Sequence, residues 1–378
     1  MYHVKTMNKI SKIGLAELDD RFEISDTMEH EDAILVRSAK LHDYDFPAEL
    51  LCIARAGAGV NNIPLDRAAE AGIVVFNTPG ANANAVKELT IAALLLASRK
   101  ISQGITWVKE QAAAGADVAA VVEKGKAAYV GPEIQGKTLG VVGLGAIGVL
   151  VANAAAALGM QIVGYDPFLS VQHALNLTPG VKVVSTLEEL YGQADYISLH
   201  LPMTPETKGT LNDAAFAAMK DGVRIVNLAR GELVDTEALK AALASGKCAA
   251  YVTDFPNSET AAMEGVVAIP HLGASTPESE DNCAMMAARQ VRDYLDNGNI
   301  VNSVNLPVLS MAWAAKNRVC VLTKGADAAA IAAAVPAVAS ASKTRGEYGY
   351  FLLDTDAQVD TAAIAALPGV LRVRVLHQ

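Results

Sequence analysis

The chain has 378 residues, of which 52% are apolar and 19% charged, which suits a globular protein of roughly two or three domains. Proteins that bind nucleic acids or anionic membranes usually carry a basic patch. This chain has a net charge of −10 and no Lys/Arg cluster, which argues against both classes. The four cysteines are scattered and form no CxxC pair, so we expect neither a metal site nor disulfides. No apolar signal core opens the chain, and we expect a cytoplasmic protein.

Short apolar runs separated by polar breaks in the first ninety or so residues indicate α/β structure. The predicted strands lie within 33–38, 50–56 and 72–77, and a helix is expected between the last two, at 64–71. A second helix is predicted over 86–99, where it links this first domain to the next.

From Gly136 onward, strand and helix patterns alternate. Strands are predicted within 138–143, 161–166, 196–201, 224–229, 249–254 and 266–271, and helices over 146–158, 212–219 and 236–243. Repeated β–α–β units predict a parallel sheet with right-handed crossovers. One long helix is then expected over 277–297.

The tail reads β-α-β-β-α-β over 318–378, the order of a ferredoxin-like module. We therefore predict an α/β protein in which a Rossmann-type domain (94–277) is inserted into a flavodoxin-like α/β domain (1–93 and 278–305). A small ferredoxin-like α+β domain follows at 306–378. The active site is expected in the cleft between the first two domains.

A glycine motif indicates a dinucleotide site. Gly143, Gly145 and Gly148 form a GxGxxG string with Ala146 and Ile147, preceded by an apolar strand and followed by a helix. In this setting the glycines allow a tight turn, a close approach of the backbone to a pyrophosphate, and close helix–strand packing. The start of the helix offers free N–H groups to the phosphates.

The next strand ends in Asp166, eighteen residues past Gly148. A carboxylate at this point accepts hydrogen bonds from the ribose hydroxyls and repels a 2′-phosphate. The predicted cofactor is therefore NAD rather than NADP.

Three further residues suit the oxidation of a hydroxy acid, which needs a base, an orienting partner for that base and a cation for the carboxylate. Arg230 and His271 each follow a predicted strand, and Glu259 lies between them in the chain. Positions past the C-terminal ends of parallel strands are where such folds bind ligands.

Several motifs in the same order resemble those of the D-isomer-specific 2-hydroxyacid dehydrogenases over almost all of the first 305 residues. They are RAGAGVNN (55–62), NTPG (77–80), GKTLG (136–140), the glycine motif, DYISLHLP (195–202), NLARG (227–231) and PHLG (270–273). Within that family, the first string and the tail most resemble the branch that acts on 3-phospho-D-glycerate.

The resemblance implies a role for each matching residue. His271 would be the general acid/base, Glu259 would orient its imidazole, and Arg230 would bind the substrate carboxylate. The cofactor would be lined by the glycine motif, Asp166, His200, Pro202, Leu228, Ala229, Arg230, Asp254, His271, Gly273 and Ala274. The substrate would meet Arg55, Gly57, Asn77, Gly80, Arg230 and His271.

Two assignments stay open. The family usually has Pro after its Glu, whereas Thr260 follows Glu259, and Glu264 is a rival for the same role. For a substrate phosphate, Arg55 is the first candidate, and Arg37, Lys40 and Lys87 are weaker ones.

The expected function is NAD-dependent oxidation of 3-phospho-D-glycerate, a small anionic substrate, by a homo-oligomer (dimer or tetramer). One alternative is a reductase for hydroxypyruvate, glyoxylate or another 2-oxo acid; another is an NAD-sensing co-repressor-like protein. The tail resembles an ACT domain, but its first loop, 323–327, lacks the pattern common in amino-acid-binding members. A small-molecule effector site and a role in assembly alone both stay open, and the tail is expected to be separable.

Overall fold

A computed structural model describes all residues, 1–378. Its strands, in chain order, are β1 Tyr2–Met7, β2 Phe22–Ser25, β3 Ala33–Val36, β4 Cys52–Arg55, β5 Val74–Phe76, β6 Thr138–Val142, β7 Gln161–Tyr165, β8 Lys182–Val183, β9 Tyr196–Leu199, β10 Val223–Asn227, β11 Cys248–Thr253, β12 Val266–Ala268, β13 Asn317–Lys324, β14 Ala339–Arg345, β15 Tyr348–Thr355 and β16 Val370–His377.

The α-helices are α1 Lys12–Leu15, α2 Leu65–Glu70, α3 Ala83–Ser98, α4 Ile101–Ala113, α5 Val118–Gly125, α6 Ala146–Ala157, α7 Val171–Leu175, α8 Leu187–Gln193, α9 Asp213–Ala218, α10 Thr236–Ala244, α11 Pro277–Asn297, α12 Ala328–Ala333 and α13 Thr361–Ala365. None of them is both long enough and apolar enough to cross a membrane.

The chain forms two compact units. One comprises residues 1–82 together with 277–378, and the other comprises residues 83–276. The three-domain division predicted from the sequence differs from these bounds mainly in keeping the tail apart, and it stays a prediction.

The 83–276 unit contains a parallel sheet of seven strands in the order β12-β11-β10-β9-β6-β7-β8. The order reverses between β6 and β9, as in a Rossmann fold, where ligands bind past the carboxyl ends of the strands. The apolar run through 138–165 forms β6, α6 and β7, and most of its strand residues are buried because helices cover both faces of the sheet.

The first unit contains a parallel sheet in the order β2-β1-β3-β4-β5. This is the flavodoxin-like order, so the predicted fold class is confirmed for both parallel sheets. Strands β3 to β5 are buried along most of their length, and α11 packs on β3 and β4.

The tail forms the antiparallel sheet β14-β15-β13-β16, the order expected for β-α-β-β-α-β. One face carries α12 and α13 over a small core that includes Val319, Val321 and Phe351. The other face contributes Cys320, Leu322, Tyr350, Leu352 and Leu376 to the core that contains Phe76 and Tyr294. Within the first unit, the tail and the five-stranded sheet therefore share one hydrophobic core.

Candidate active site

The turn between β6 and α6 fits a dinucleotide phosphate. Gly143 has φ +92°, and a Cβ there would lie 2.6 Å from the His200 carbonyl oxygen. A Cβ at Gly148 would lie 1.9 Å from the Gly143 carbonyl oxygen, so this glycine is required for packing. Gly145, by contrast, faces open space. It leaves the backbone at the start of α6 accessible to a phosphate, as the sequence motif predicts.

Asp166 lies beside this turn, just past the end of β7. Its Oδ2 accepts a hydrogen bond from the Leu144 N–H at 2.9 Å, and its Oδ1 accepts one from the Phe168 N–H at 2.8 Å. The two bonds hold the carboxylate next to the glycine motif, and each oxygen retains a lone pair for a ribose hydroxyl.

His200 follows β9 and precedes Pro202. Its Nε2 lies 2.9 Å from the Ser198 Oγ, and its backbone N–H donates to the Val142 carbonyl. Burial lowers the pKa of His200 to about 4. The ring is therefore neutral near neutral pH, so the residue whose carbonyl faces Gly143 adds no charge beside the glycine turn.

The loop after β10 carries Leu228, Ala229 and Arg230, and the buried Asn227 side chain shapes it. The Asn227 Oδ1 accepts from the Ala229 N–H at 3.1 Å, while its Nδ2 donates to the Arg230 carbonyl at 2.8 Å and to the Tyr251 hydroxyl at 3.1 Å. Asn227 has no exposed surface. These three bonds fix the backbone from which Arg230 extends.

Arg230 and His271 meet around one aromatic ring. The Arg230 guanidinium carbon lies 5.2 Å from the centre of the Phe255 ring, and the His271 ring centre lies 4.3 Å from it. Both side chains belong to exposed residues. Since Arg230 follows β10, Phe255 follows β11 and His271 follows β12, three neighbouring strands deliver a cation, an apolar surface and an imidazole to one edge of the sheet.

Asp254 directly precedes Phe255 in the chain, and its carboxylate is buried, with 1% of the residue's surface exposed. Its Oδ2 accepts from the Gly273 N–H at 3.0 Å, whereas its buried Oδ1 has no hydrogen-bond partner. Burial raises the pKa of Asp254, although the Gly273 N–H, His271 and Arg230 all oppose that shift.

The buried acceptor on Asp254 fits the cofactor that the sequence predicts. The amide group of a nicotinamide supplies N–H donors, and a buried carboxylate oxygen without a partner needs one. Together with the open glycine turn and Asp166, these residues fit NAD.

Glu259 does not lie where the sequence prediction requires it. Its Oε1 lies 3.3 Å from the Lys240 Nζ, and its carboxylate makes no hydrogen bond to His271. Together with Glu264 it borders a groove of about 1,010 Å³ at the N-terminal ends of β11 and β12. The expected Glu259–His271 hydrogen bond is therefore absent from the structure, and the carboxylate pairs with Lys240 instead.

The substrate residues predicted in the first unit lie on two joined loops. Gly57 has φ +147°, and a Cβ there would lie 1.7 Å from the Arg55 Nη1, so the Arg55 side chain folds back over this glycine. The Asn77 Nδ2 donates to the Ala58 carbonyl at 2.7 Å, and the Thr78 N–H donates to the Gly57 carbonyl. Gly80, with φ +81°, ends the second loop.

The weaker phosphate candidates differ in their surroundings. Arg37 pairs with Glu280 at 2.7 Å, and Lys87 lies 3.6 Å from Glu88, while Lys40 is exposed. Ion pairs therefore hold Arg37 and Lys87.

Sequence reasoning missed three residues that shape these sites. Asn227 and Phe255 lie beside the residues that carry the predicted chemistry, and Glu280 lies within a predicted helix. Only Asn227 carried a usable signal, because an Asn at the buried end of a strand must satisfy its amide locally.

Residues 91–273 match the family model described as "D-isomer specific 2-hydroxyacid dehydrogenase, NAD binding domain". The D-3-phosphoglycerate dehydrogenase of Rattus norvegicus is 38% identical over 291 residues, which are 75% of this chain and 52% of that protein. The chain thus spans about half the length of this curated relative.

Two solved structures are similar over nearly their whole length. The NAD⁺-bound 3-phosphoglycerate dehydrogenase of Entamoeba histolytica has a TM-score of 0.61 and 27% identity, covering 82% of this chain and 99% of that one. The TT0316 protein of Thermus thermophilus has a TM-score of 0.64 and 30% identity, covering 80% of this chain and 99% of that one.

Proposed function

Because the chain belongs to the D-isomer-specific 2-hydroxyacid dehydrogenase family and carries its NAD-binding domain, we propose that it oxidises 3-phospho-D-glycerate to 3-phosphohydroxypyruvate. The observation that carries the proposal is the meeting of Arg230 and His271 around Phe255, at the strand ends of the NAD-binding domain. The activity of the curated relative supports the choice of substrate.

The proposed mechanism assigns each protein group one task. The Arg230 guanidinium binds the substrate carboxylate through two parallel hydrogen bonds and so orients C2. Neutral His271 accepts the hydroxyl proton while the electron pair of the O–H bond forms the carbonyl. A bound NAD would supply the acceptor for the hydride that leaves C2. Reduction reverses these steps, with His271 returning its proton to the oxygen.

Asp254 and Asp166 support the mechanism by binding. The buried Oδ1 of Asp254 would accept a hydrogen bond from the amide of a bound nicotinamide. Asp166 would accept one from the adenosine ribose. Glu259 would orient His271 only if its carboxylate left Lys240 and its loop moved away from the groove at the N-terminal ends of β11 and β12.

We also propose that Arg55, with Arg37, attracts the substrate phosphate. Arg37 follows β3 and Arg55 ends β4, at the carboxyl edge of their sheet. Both residues belong to the first unit, whereas His271 belongs to the other.

We also propose that the chain forms a homo-oligomer in the cytoplasm. Helices α4 and α5 contain no buried residue, and Ile101 and Ile105 are 44% and 52% exposed. An apolar groove beside Trp107 lies between these helices. A measurement of molar mass in solution tests whether the chain forms a homo-oligomer.

The proposed activity is tested by following the absorbance of NADH while the protein is incubated with NAD or NADH and a panel of hydroxy and oxo acids. We expect NAD reduction with 3-phospho-D-glycerate to exceed that with D-glycerate or D-lactate. Turnover of glyoxylate or hydroxypyruvate alone would replace the proposal by the reductase alternative. The lack of any turnover, with NAD still bound, would favour the co-repressor-like alternative.

A further inference from the structure

Two arginines lie side by side at the carboxyl edge of the five-stranded sheet. Val36, the last residue of β3, is in register with Arg55, the last residue of β4, so Arg37 follows at the same edge. The Arg55 Nε donates to the Arg37 carbonyl at 3.1 Å. Two positive charges at the same edge of a sheet attract a group that carries more than one negative charge.

The first turns of α11 lie at the same edge. This helix has 21 residues and begins at Pro277, and it packs on β3 and β4. Arg37 pairs with Glu280, the fourth residue of this helix. Burial raises the pKa of the Cys283 thiol on α11, and the charges of Arg55 and Arg37 oppose that shift. The positive end of the helix therefore adds to the field of the two arginines.

One carboxylate neutralises part of that field. The Glu280 Oε1 lies 2.7 Å from the Arg37 Nη2, and the two side chains are 44% and 43% exposed. We propose that Glu280 competes with the substrate phosphate for Arg37, and so sets how strongly the enzyme prefers phosphorylated over unphosphorylated 2-hydroxy acids. This inference rests on the proposed function.

The competition follows from elementary electrostatics. A phosphate dianion that approaches Arg37 must share or displace the carboxylate, and the remaining negative charge repels it at short range. An ion pair this exposed contributes little to stability. Replacing Glu280 should therefore leave the fold intact while freeing Arg37.

A second reading of Glu280 is that it only offsets the positive end of α11, as acidic residues in a first turn do. Glu278 stands in the same turn and is also exposed. Glu278→Gln is therefore a matched control, because it removes the same charge from the helix start and leaves the Arg37 pair in place.

The test compares the wild type with Glu280→Gln, Glu280→Asp and Glu278→Gln. For each protein, kcat and KM are measured with 3-phospho-D-glycerate and with D-glycerate at saturating NAD. We expect Glu280→Gln to lower KM for the phosphorylated substrate by roughly threefold to tenfold, with kcat and the D-glycerate values changed by less than about twofold. Glu280→Asp, which keeps the charge, should stay near the wild type, as should Glu278→Gln.

Three results would overturn the inference: an equal effect on both substrates, an equal effect of Glu278→Gln, or a higher KM for the phosphorylated substrate in Glu280→Gln. If the wild type does not oxidise 3-phospho-D-glycerate, the proposed function fails separately. Inorganic phosphate is then used as an inhibitor of whichever hydroxy acid reacts. A lower inhibition constant in Glu280→Gln than in Glu278→Gln supports the inference, and equal constants refute it.

Discussion

Asp254 and Asp166 are two carboxylates at strand ends of the same sheet, and their surroundings give them different properties. Asp166 is partly exposed and accepts two backbone N–H groups. Asp254 is buried and accepts one, while its other oxygen has no partner. A carboxylate buried in this way costs free energy in the folded protein until a donor reaches it.

We expect Asp254→Asn to raise the free energy of unfolding near neutral pH while weakening NAD binding. Because burial raises the folded-state pKa of Asp254 above its unfolded value, ionisation destabilises the fold at high pH. This penalty disappears as the pH falls below the unfolded pKa of about 3.9. The gain from Asn should therefore shrink on acidification, which urea unfolding at several pH values measures. A variant less stable than the wild type at neutral pH would contradict this account.

Asp166 should set the choice of cofactor. A carboxylate beside the ribose repels a 2′-phosphate, so we expect kcat/KM with NAD to exceed that with NADP by about tenfold or more, or about 1.4 kcal/mol. Asp166→Asn removes the charge and keeps one acceptor, and the ratio should narrow. Initial rates with NAD and with NADP measure this ratio. Comparable rates with the two cofactors in the wild type would show that the Asp166 charge does not select NAD.

Hydrophobic patterns in the sequence predict those helices and strands that bury one face in a core. The predicted helix over 277–297 has the bounds of α11, because its apolar positions pack against the sheet. Strands β6, β7 and β10 were also predicted, since most residues of each strand are buried. Helices α4 and α5 were missed because no residue in them is buried, so no core imposes a pattern on them.

Only part of the candidate active site could be predicted from the sequence. The glycine motif, Asp166, Arg230 and His271 stand at strand ends that the sequence pattern already marks. The partner of Glu259 was not predictable, because an exposed carboxylate on a loop takes whichever cation lies nearest, and Lys240 comes from the separate helix α10. The Arg37–Glu280 pair likewise joins residues more than 240 positions apart.

The loop after β10 gives a prediction at this scale. Asn227→Asp keeps an acceptor for the Ala229 N–H but removes the donors to the Arg230 carbonyl and the Tyr251 hydroxyl. We expect KM for the hydroxy acid to rise by roughly tenfold, since Arg230 loses its fixed backbone, with NAD affinity changed less. Arg230→Lys is the comparison, because an ammonium loses the two-point contact directly. An unchanged KM in Asn227→Asp would show that the loop is held by other contacts.

For the whole molecule, the position of the tail matters most. Arg374 donates to the Tyr294 and Leu295 carbonyls at the end of α11, and Tyr350 donates to the Gly298 carbonyl at 2.5 Å. Arg318 and Asp354, both fully buried, form an ion pair inside the tail, and Arg318 also donates to the Asn297 carbonyl. The tail thus completes the core of the first unit.

This packing changes the expectation of a separable tail. A chain ending at Leu306 would expose Phe76, Tyr294 and Leu295, which are buried in the shared core. We expect such a chain to unfold at lower urea concentration than the full chain, or to aggregate, because apolar surface returns to water. Urea titrations of both chains measure this. Equal midpoints would restore the prediction of an independent module.

Arg318→Met gives a milder comparison for the same claim. It leaves the Asp354 carboxylate buried without its cation, which typically costs about 3–5 kcal/mol. The change also removes the Arg318 hydrogen bonds to the Asn297, Met311 and Ala312 carbonyls. A full-length chain carrying it should lose stability while Phe76, Tyr294 and Leu295 stay covered by the tail, so the comparison separates the loss of these polar contacts from the loss of the shared apolar core.

In the proposed mechanism, His271 accepts the hydroxyl proton of the substrate while the hydride passes from C2 to NAD. The most direct test measures initial rates of His271→Ala with 3-phospho-D-glycerate, together with NAD affinity, beside His42→Ala, which changes an exposed histidine of the other unit. We predict that kcat falls by roughly 10² to 10⁴ in His271→Ala, with NAD still bound, and stays unchanged in His42→Ala. Near-normal turnover by His271→Ala would contradict the mechanism.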